Sequence, residues 1–164
     1  MAKKSKSSRS CIIIGNWKMY KTIAETLQCI ESLNKELPSQ QEAVQFYLAV
    51  PFTAIHAAAQ KRDDTRLVIG AQNMNDVEEG AFTGEVAAVM LKEAGARFVL
   101  LGHSERRKLF SESNAFINRK VKKAIATGLQ PVLCIGETYE EREAGMTQQI
   151  LASQLRECLA DITA

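Results

Sequence analysis

Apolar residues gather in five short runs along the chain, and between them the pattern changes to one apolar position every three or four residues. The runs begin near Cys11, Phe46, Leu67, Arg97 and Pro131 and are rich in β-branched side chains. They are apolar on both alternating faces, as expected of strands buried on both sides of a parallel sheet. The intervening segments carry helix punctuation. Thr22-Ile23-Ala24-Glu25 reads as a capping box, and Ile23, Leu27, Ile30 and Leu33 form one stripe that Pro38 should end. A short helix is expected over 54–60. Another should be capped by Thr83, with Glu85 in its first turn, and run to Gly95. Ser113 opens a fourth, with Phe116, Ile117, Val121, Ala124 and Ile125 inward and Gly128 as its stop. Thr138 and Glu141 make a second capping box, and Thr147 opens a last helix carrying Ile150, Leu151, Leu155, Leu159 and Ile162. Short links favour right-handed crossovers, so the chain reads as five βα units around a parallel sheet.

Two architectures fit five such units. One is a doubly wound, flavodoxin-like open sheet, which would make the chain an anion- or nucleotide-binding module. The other is part of a (β/α)8 barrel, whose full form needs about 250 residues. The open sheet expects a glycine-rich phosphate loop after the first strand, yet Asn16-Trp17-Lys18-Met19-Tyr20-Lys21 is bulky. The barrel expects polar groups at the carboxyl end of strand after strand. Those groups are present: Asn16 and Lys18, then Gln72 and Asn73, then His103, Ser104 and Glu105, then Gly136 and Glu137.

Composition narrows the partners. The chain has 164 residues, 46% of them hydrophobic, enough for one good core. Its 21 basic and 19 acidic residues give a net charge of +2. Lys3, Lys4, Lys6 and Arg9 all fall within residues 1–10, so the remainder holds 17 basic against 19 acidic residues. That body is not a nucleic-acid surface. Residues 1–10 read as a disordered basic tail, and residues 11–164 as one partial-barrel domain. No apolar stretch reaches membrane-spanning length, and the expectation is a cytoplasmic protein with no nucleic-acid and no membrane partner. Cys11, Cys29, Cys134 and Cys158 lack CxxC spacing and lie in apolar patterns, which suggests reduced, buried thiols. Cys134 lies beside a polar strand end, but a small core side chain explains it better than a reactive one. With only His56 and His103 as histidines, no metal site is expected.

Taken together, Gly15-Asn16-Trp17-Lys18-Met19, Gly70-Ala71-Gln72-Asn73, Gly80-Ala81-Phe82-Thr83-Gly84-Glu85, Gly102-His103-Ser104-Glu105-Arg106-Arg107 and Cys134-Ile135-Gly136-Glu137 resemble the triosephosphate isomerase family, in order and from about Cys11 onward. The resemblance implies an incomplete TIM barrel and a homodimer without cofactor. It also implies interconversion of dihydroxyacetone phosphate and glyceraldehyde 3-phosphate in glycolysis and gluconeogenesis. It assigns Lys18 to the anionic substrate and the developing enolate, with Asn16 beside it as a donor, and His103 to the carbonyl oxygen. Glu105 would pair with Lys18 and orient it. Thr83 would sit at the tip of a loop that docks into a second subunit. As isolated residues, His103 could equally be a helix cap and Glu105 a solvated carboxylate. In the family the glutamate base lies on a lid after the sixth strand. This chain matches only about the first five of eight units, so the expectation is an inactive piece or a non-catalytic complementation unit.

Overall fold

The structure, a computed structural model, describes residues 11–37, 44–62 and 67–163. The expected basic tail at 1–10 and the helix stop at Pro38 lie outside the described residues. Strands and helices alternate: β1 (Cys11–Asn16), α1 (Ile23–Glu36), β2 (Val44–Val50), a 3-10 turn at Phe52–Ala54 leading into α2 (Ile55–Lys61), then β3 (Leu67–Ala71) and α3 (Ala88–Glu93). They continue as β4 (Phe98–Leu101), α4 (Ser104–Leu109), α5 (Asn114–Thr127), β5 (Gln130–Leu133), α6 (Tyr139–Glu143) and α7 (Thr147–Cys158).

All four strand pairings are parallel, and the spatial order is β1-β2-β3-β4-β5. A doubly wound sheet reverses its strand order at a switch point. This sheet never does, so the flavodoxin-like alternative is overturned and the architecture is an incomplete TIM barrel. Strands laid down in sequence with one crossover hand keep every helix on one face.

Side chains divide accordingly. Leu48, Val50, Leu67, Ile69, Val99 and Leu101 pack beneath Ile30, Ile55, Leu91, Ile117 and Val121 of the helices. The opposite face carries a smaller cluster of Tyr47, Ala49, Phe98 and Leu100, with no helical residue in it. Gly70 belongs there by necessity: a Cβ on it would lie 2.3 Å from Phe98 Cδ1.

Sequence punctuation holds at most helix starts. Thr22 and Thr138 form reciprocal capping boxes with Glu25 and Glu141, Ser113 caps α5, and Gly128 ends it at φ +77°. The Thr83 cap is wrong. The chain stays a loop until Ala87, and α3 spans only Ala88–Glu93. Gly84 sits at φ +89°, outside helical space, and Glu85 turns its carboxylate back to accept from Asn75 Nδ2 at 2.8 Å. A further bond from Asn75 N to Val86 O then closes the loop.

Burial is also narrower than the stripes suggested: Ile23, Ile125, Leu155 and Leu159 stay exposed at the flanks of their helices. Of the cysteines, which are all free, only Cys158 is fully buried; Cys11 is exposed at the start of the edge strand β1.

Candidate active site

The carboxyl ends of β1, β3 and β4 converge on one cluster. Beyond β1 the chain turns sharply, with Lys18 at φ 49°, a left-handed conformation that costs a non-glycine residue about 1–3 kcal/mol. Neighbours hold it there. Lys18 N donates to Asn16 Oδ1 at 2.9 Å, and Gln72 Nε2 reaches Lys18 O at 2.8 Å, Asn16 Oδ1 at 3.2 Å and Ala49 O at 3.2 Å. Gln72, just past β3, therefore fastens the strained turn to β2 and to β3.

Lys18 Nζ lies 2.8 Å from Glu105 Oε1 across 87 residues of sequence. That hydrogen bond, reinforced by charge, raises the lysine above its ordinary range and holds the Glu105 carboxyl below its own. Both groups are thus ionised over the neutral range. Each side chain is nearly half exposed, so the pair orients more than it stabilises.

His103 caps α4. Its Nδ1 accepts from the Glu105 backbone N–H at 3.3 Å and also lies 3.4 Å from Glu105 Oε2. The Glu105 carboxylate alone would favour a proton on Nδ1, but it is engaged by Lys18. The amide N–H aimed at Nδ1 requires a lone pair there, so in the neutral ring the proton sits on Nε2. The capping role and the chemical role expected of His103 are therefore one arrangement. The cap selects the tautomer that can donate to a carbonyl.

Asn16, Lys18, His103 and Glu105 form one cluster. Thr83 does not join it and lies exposed in the loop between Asn75 and Glu85, among turns closed by Phe82 N to Gly80 O and Glu85 N to Phe82 O. Glu137, past β5, is only 8% exposed and committed to Arg142 Nε at 2.8 Å, with Thr147 Oγ1 at 3.4 Å. Its own backbone N–H and Arg142 hold the carboxyl below the ordinary range. Cys134 is half-buried, and burial pushes its thiol up, away from thiolate reactivity.

Sequence reading missed a charged network beneath the site. Lys120 Nζ donates to Glu112 Oε1 at 2.7 Å and to Asn73 Oδ1 at 2.9 Å, and Arg106 Nε donates to the same Glu112 oxygen at 2.6 Å. Lys120 and Glu112 are almost wholly buried. Successive residues Gln72 and Asn73 thus look opposite ways, one to the β1 turn and the other to this network. The only advance signal was a Lys at an inward position of the α5 stripe, one residue before Val121.

Among the described residues, no group of three or more His, Cys, Asp and Glu could hold a metal ion, and no helix is long and apolar enough to cross a membrane. The fold and the cluster define an incomplete α/β barrel with a cation, an amide and an imidazole gathered at the strand ends. The triosephosphate isomerase family model matches residues 11–164, and the chain belongs to that family.

A triosephosphate isomerase from Protochlamydia amoebophila is 60% identical over 161 residues, which is 98% of this chain and 60% of that protein. The enzymes of Dictyoglomus thermophilum and Alkaliphilus metalliredigens are each 46% identical, covering 92% and 90% of this chain and 60% and 58% of their own lengths. The chain thus spans about three fifths of the length of these relatives.

Proposed function

We propose that this chain forms part of a cytoplasmic triosephosphate isomerase that interconverts dihydroxyacetone phosphate and D-glyceraldehyde 3-phosphate in glycolysis and gluconeogenesis, without a cofactor. The observation that carries the reading is the placement of Lys18, paired with Glu105, beside an imidazole whose Nδ1 is occupied by the Glu105 amide. His103 Nε2–H donates to the substrate carbonyl oxygen. Lys18 faces the phosphate and the negative charge that grows on the enediolate, and Asn16 adds a donor. Groups fixed before the reaction stabilise such charge without having to reorganise, and removing one costs about 10²–10³ in turnover. Glu105 keeps Lys18 charged and aimed.

The 164-residue chain is inactive on its own. Of the two carboxylates described at these strand ends, Glu105 is committed to Lys18 and Glu137 to Arg142, so neither stands free to remove the carbon-bound proton. A missing general base costs about 10²–10⁴ in rate. The complete protein is a homodimer in which the loop bearing Thr83 reaches a second subunit, and Thr83→Asp shifts it to monomers by light scattering.

The test joins this chain to the remaining two fifths of the Protochlamydia amoebophila enzyme. The fusion should isomerise glyceraldehyde 3-phosphate, the chain alone should not, and Lys18→Ala and His103→Ala should each lower kcat about 10²-fold or more. Lys18→Ala should leave the melting temperature unchanged, and His103→Ala should show only the small loss, about 1 kcal/mol, of the α4 cap. A fusion that folds but shows no turnover, or variants that melt early while turning over normally, would refute the reading.

A further inference from the structure

His103 stands on a turn that one side chain of the helix it caps holds in place. Gly102, which links β4 to His103, has φ +74°, and a Cβ there would meet Arg107 Nη2 at 2.9 Å and Cys134 O at 3.2 Å. The Arg107 guanidinium fills that space. Its Nε donates to Gly102 O at 2.7 Å and its Nη2 to Cys134 O at 3.2 Å, with Cys158 Sγ 3.7 Å away. Its Nη1 donates to Asn114 Oδ1, and Asn114 in turn donates from Nδ2 to Glu157 Oε2 at 3.1 Å.

One planar fork thus ties the carbonyl that ends β4, a carbonyl just past β5 and the first residue of α5. No carboxylate forms an ion pair with Arg107 among the described residues, although Glu157 is near enough for Arg107 to help lower its carboxyl. A half-buried cation spent on neutral acceptors is costly to desolvate, so ion pairing does not explain its place. Geometry does: five donors in a rigid fork can fix several acceptors at once, as a lysine ammonium cannot.

We propose that Arg107 is a positioning residue for His103. By clamping Gly102 O to Cys134 O it fixes the left-handed turn from which the imidazole meets the Glu105 N–H, and so it fixes the Nε2–H tautomer. Its catalytic meaning rests on the reading of His103 given above, but the positioning itself does not.

Nitrogen-15 NMR of the histidine rings in the labelled fusion tests the clamp, with the signal lost in His103→Gln used to assign the His103 ring. At alkaline pH His103 should show a single Nε2–H tautomer. Arg107→Gln and Arg107→Lys should each lose that signature and give a mixture with Nδ1–H. Gly70→Ala, which strains the packing of β3 on Phe98 and touches none of the acceptors of Arg107, should keep the single tautomer. Persistence of one tautomer in Arg107→Lys, where the charge survives and the fork does not, would overturn the proposal. So would an equal loss in Gly70→Ala, which would make the effect one of general stability. Because no turnover enters this measurement, a failed isomerase assay of the fusion would sink the functional reading and leave this result standing.

Discussion

Replacing Glu112 with alanine should be among the most damaging single changes in the chain, although Glu112 touches none of the cluster residues Asn16, Lys18, His103 and Glu105. Glu112 Oε1 is the shared acceptor for Lys120 at 2.7 Å and Arg106 at 2.6 Å, with side-chain exposures of 2%, 1% and 26% respectively. When the carboxylate is removed, Arg106 can turn outward, where its guanidinium already lies 4.5 Å from the Phe110 ring centroid. Lys120 cannot. It keeps only Asn73 Oδ1 and the face of Phe116. Breaking a buried pair from one side costs about 3–5 kcal/mol, a large share of the 5–15 kcal/mol that holds a typical domain.

Lys120→Met should cost less, about 1–3 kcal/mol, because Glu112 keeps Arg106 and the main loss is the donor to Asn73. The double variant Glu112→Leu/Lys120→Met should recover most of the loss, since an apolar pair of similar volume leaves no buried charge unpaired. Urea denaturation at fixed pH reads all three, and the coupling is the departure from additivity.

The pH adds a sign. Burial already pushes Lys120 below its ordinary value of 10.5, and the hydrogen bond to Glu112 opposes that push. Without Glu112 the folded value drops further while the unfolded one stays put. In the window between them the unfolded state holds more protons, so the stability of Glu112→Ala rises with pH and its deficit shrinks toward pH 10. A deficit under about 1 kcal/mol at pH 7, or strictly additive double-variant losses, would refute the account of this network.

Three further outcomes are expected. Glu25, Glu105 and Glu137 are held below their ordinary value of 4.5 by hydrogen bonds. The stability they contribute is complete above that pH and lost as pH falls through their folded values, so melting temperature should be level from pH 6 to 5 and fall below 4.5, less steeply in Glu137→Gln. Gly70→Ala should cost about 1–3 kcal/mol through overpacking against Phe98, and Phe98→Leu in the same chain should relieve it; additive losses by urea midpoint would contradict that. β1 and β5 are the edges of the sheet, and Ile12, Ile13 and Ile14 on β1 are 40%, 54% and 39% exposed with no charge among them, so the 164-residue chain should self-associate and bind apolar dye, whereas a monodisperse monomer by sedimentation would count against exposed edges as the cause.

The sequence was most readable where a structural signal depends on neighbours in the chain. Strand runs, both capping boxes and the glycine stop at Gly128 depend on residues within a few positions of one another, and each appears where expected. The Thr83 cap failed for the same reason. Local spacing suggested a helix start, but Asn75, ten residues away, engages Glu85 and keeps the segment a loop. Polar strand ends were visible because a parallel sheet must bring them together, and Asn16, Lys18, His103 and Glu105 were singled out among them by the family resemblance. Their supports were not visible. Gln72 reaches back 56 residues to Asn16, and Arg107 forward 27 to Cys134. Lys120 meets Asn73 across 47. No periodicity encodes those distances.

That division has a chemical logic. Lys18 sits in a conformation that costs free energy, and His103 sits just past a glycine that no other residue could replace without moving Arg107. The strained turn at Lys18 persists because a side chain from just past β3 holds it, and the turn before His103, open to glycine for want of a Cβ, is held by a side chain of α4. Gln72 holds the first by binding the carbonyl of the strained residue itself, and Arg107 holds the second by binding the carbonyl just before His103. In both cases the restraint acts on the backbone and leaves the functional side chain free to face a ligand. The part of the cluster that meets substrate can therefore stay exposed, with Lys18 and Glu105 nearly half open to water, while its precision comes from the backbone bonds behind it. Loosening a support should consequently degrade the aim of Lys18 or His103 before it unfolds the sheet, and the ring tautomer of His103 is where that loss is first measurable.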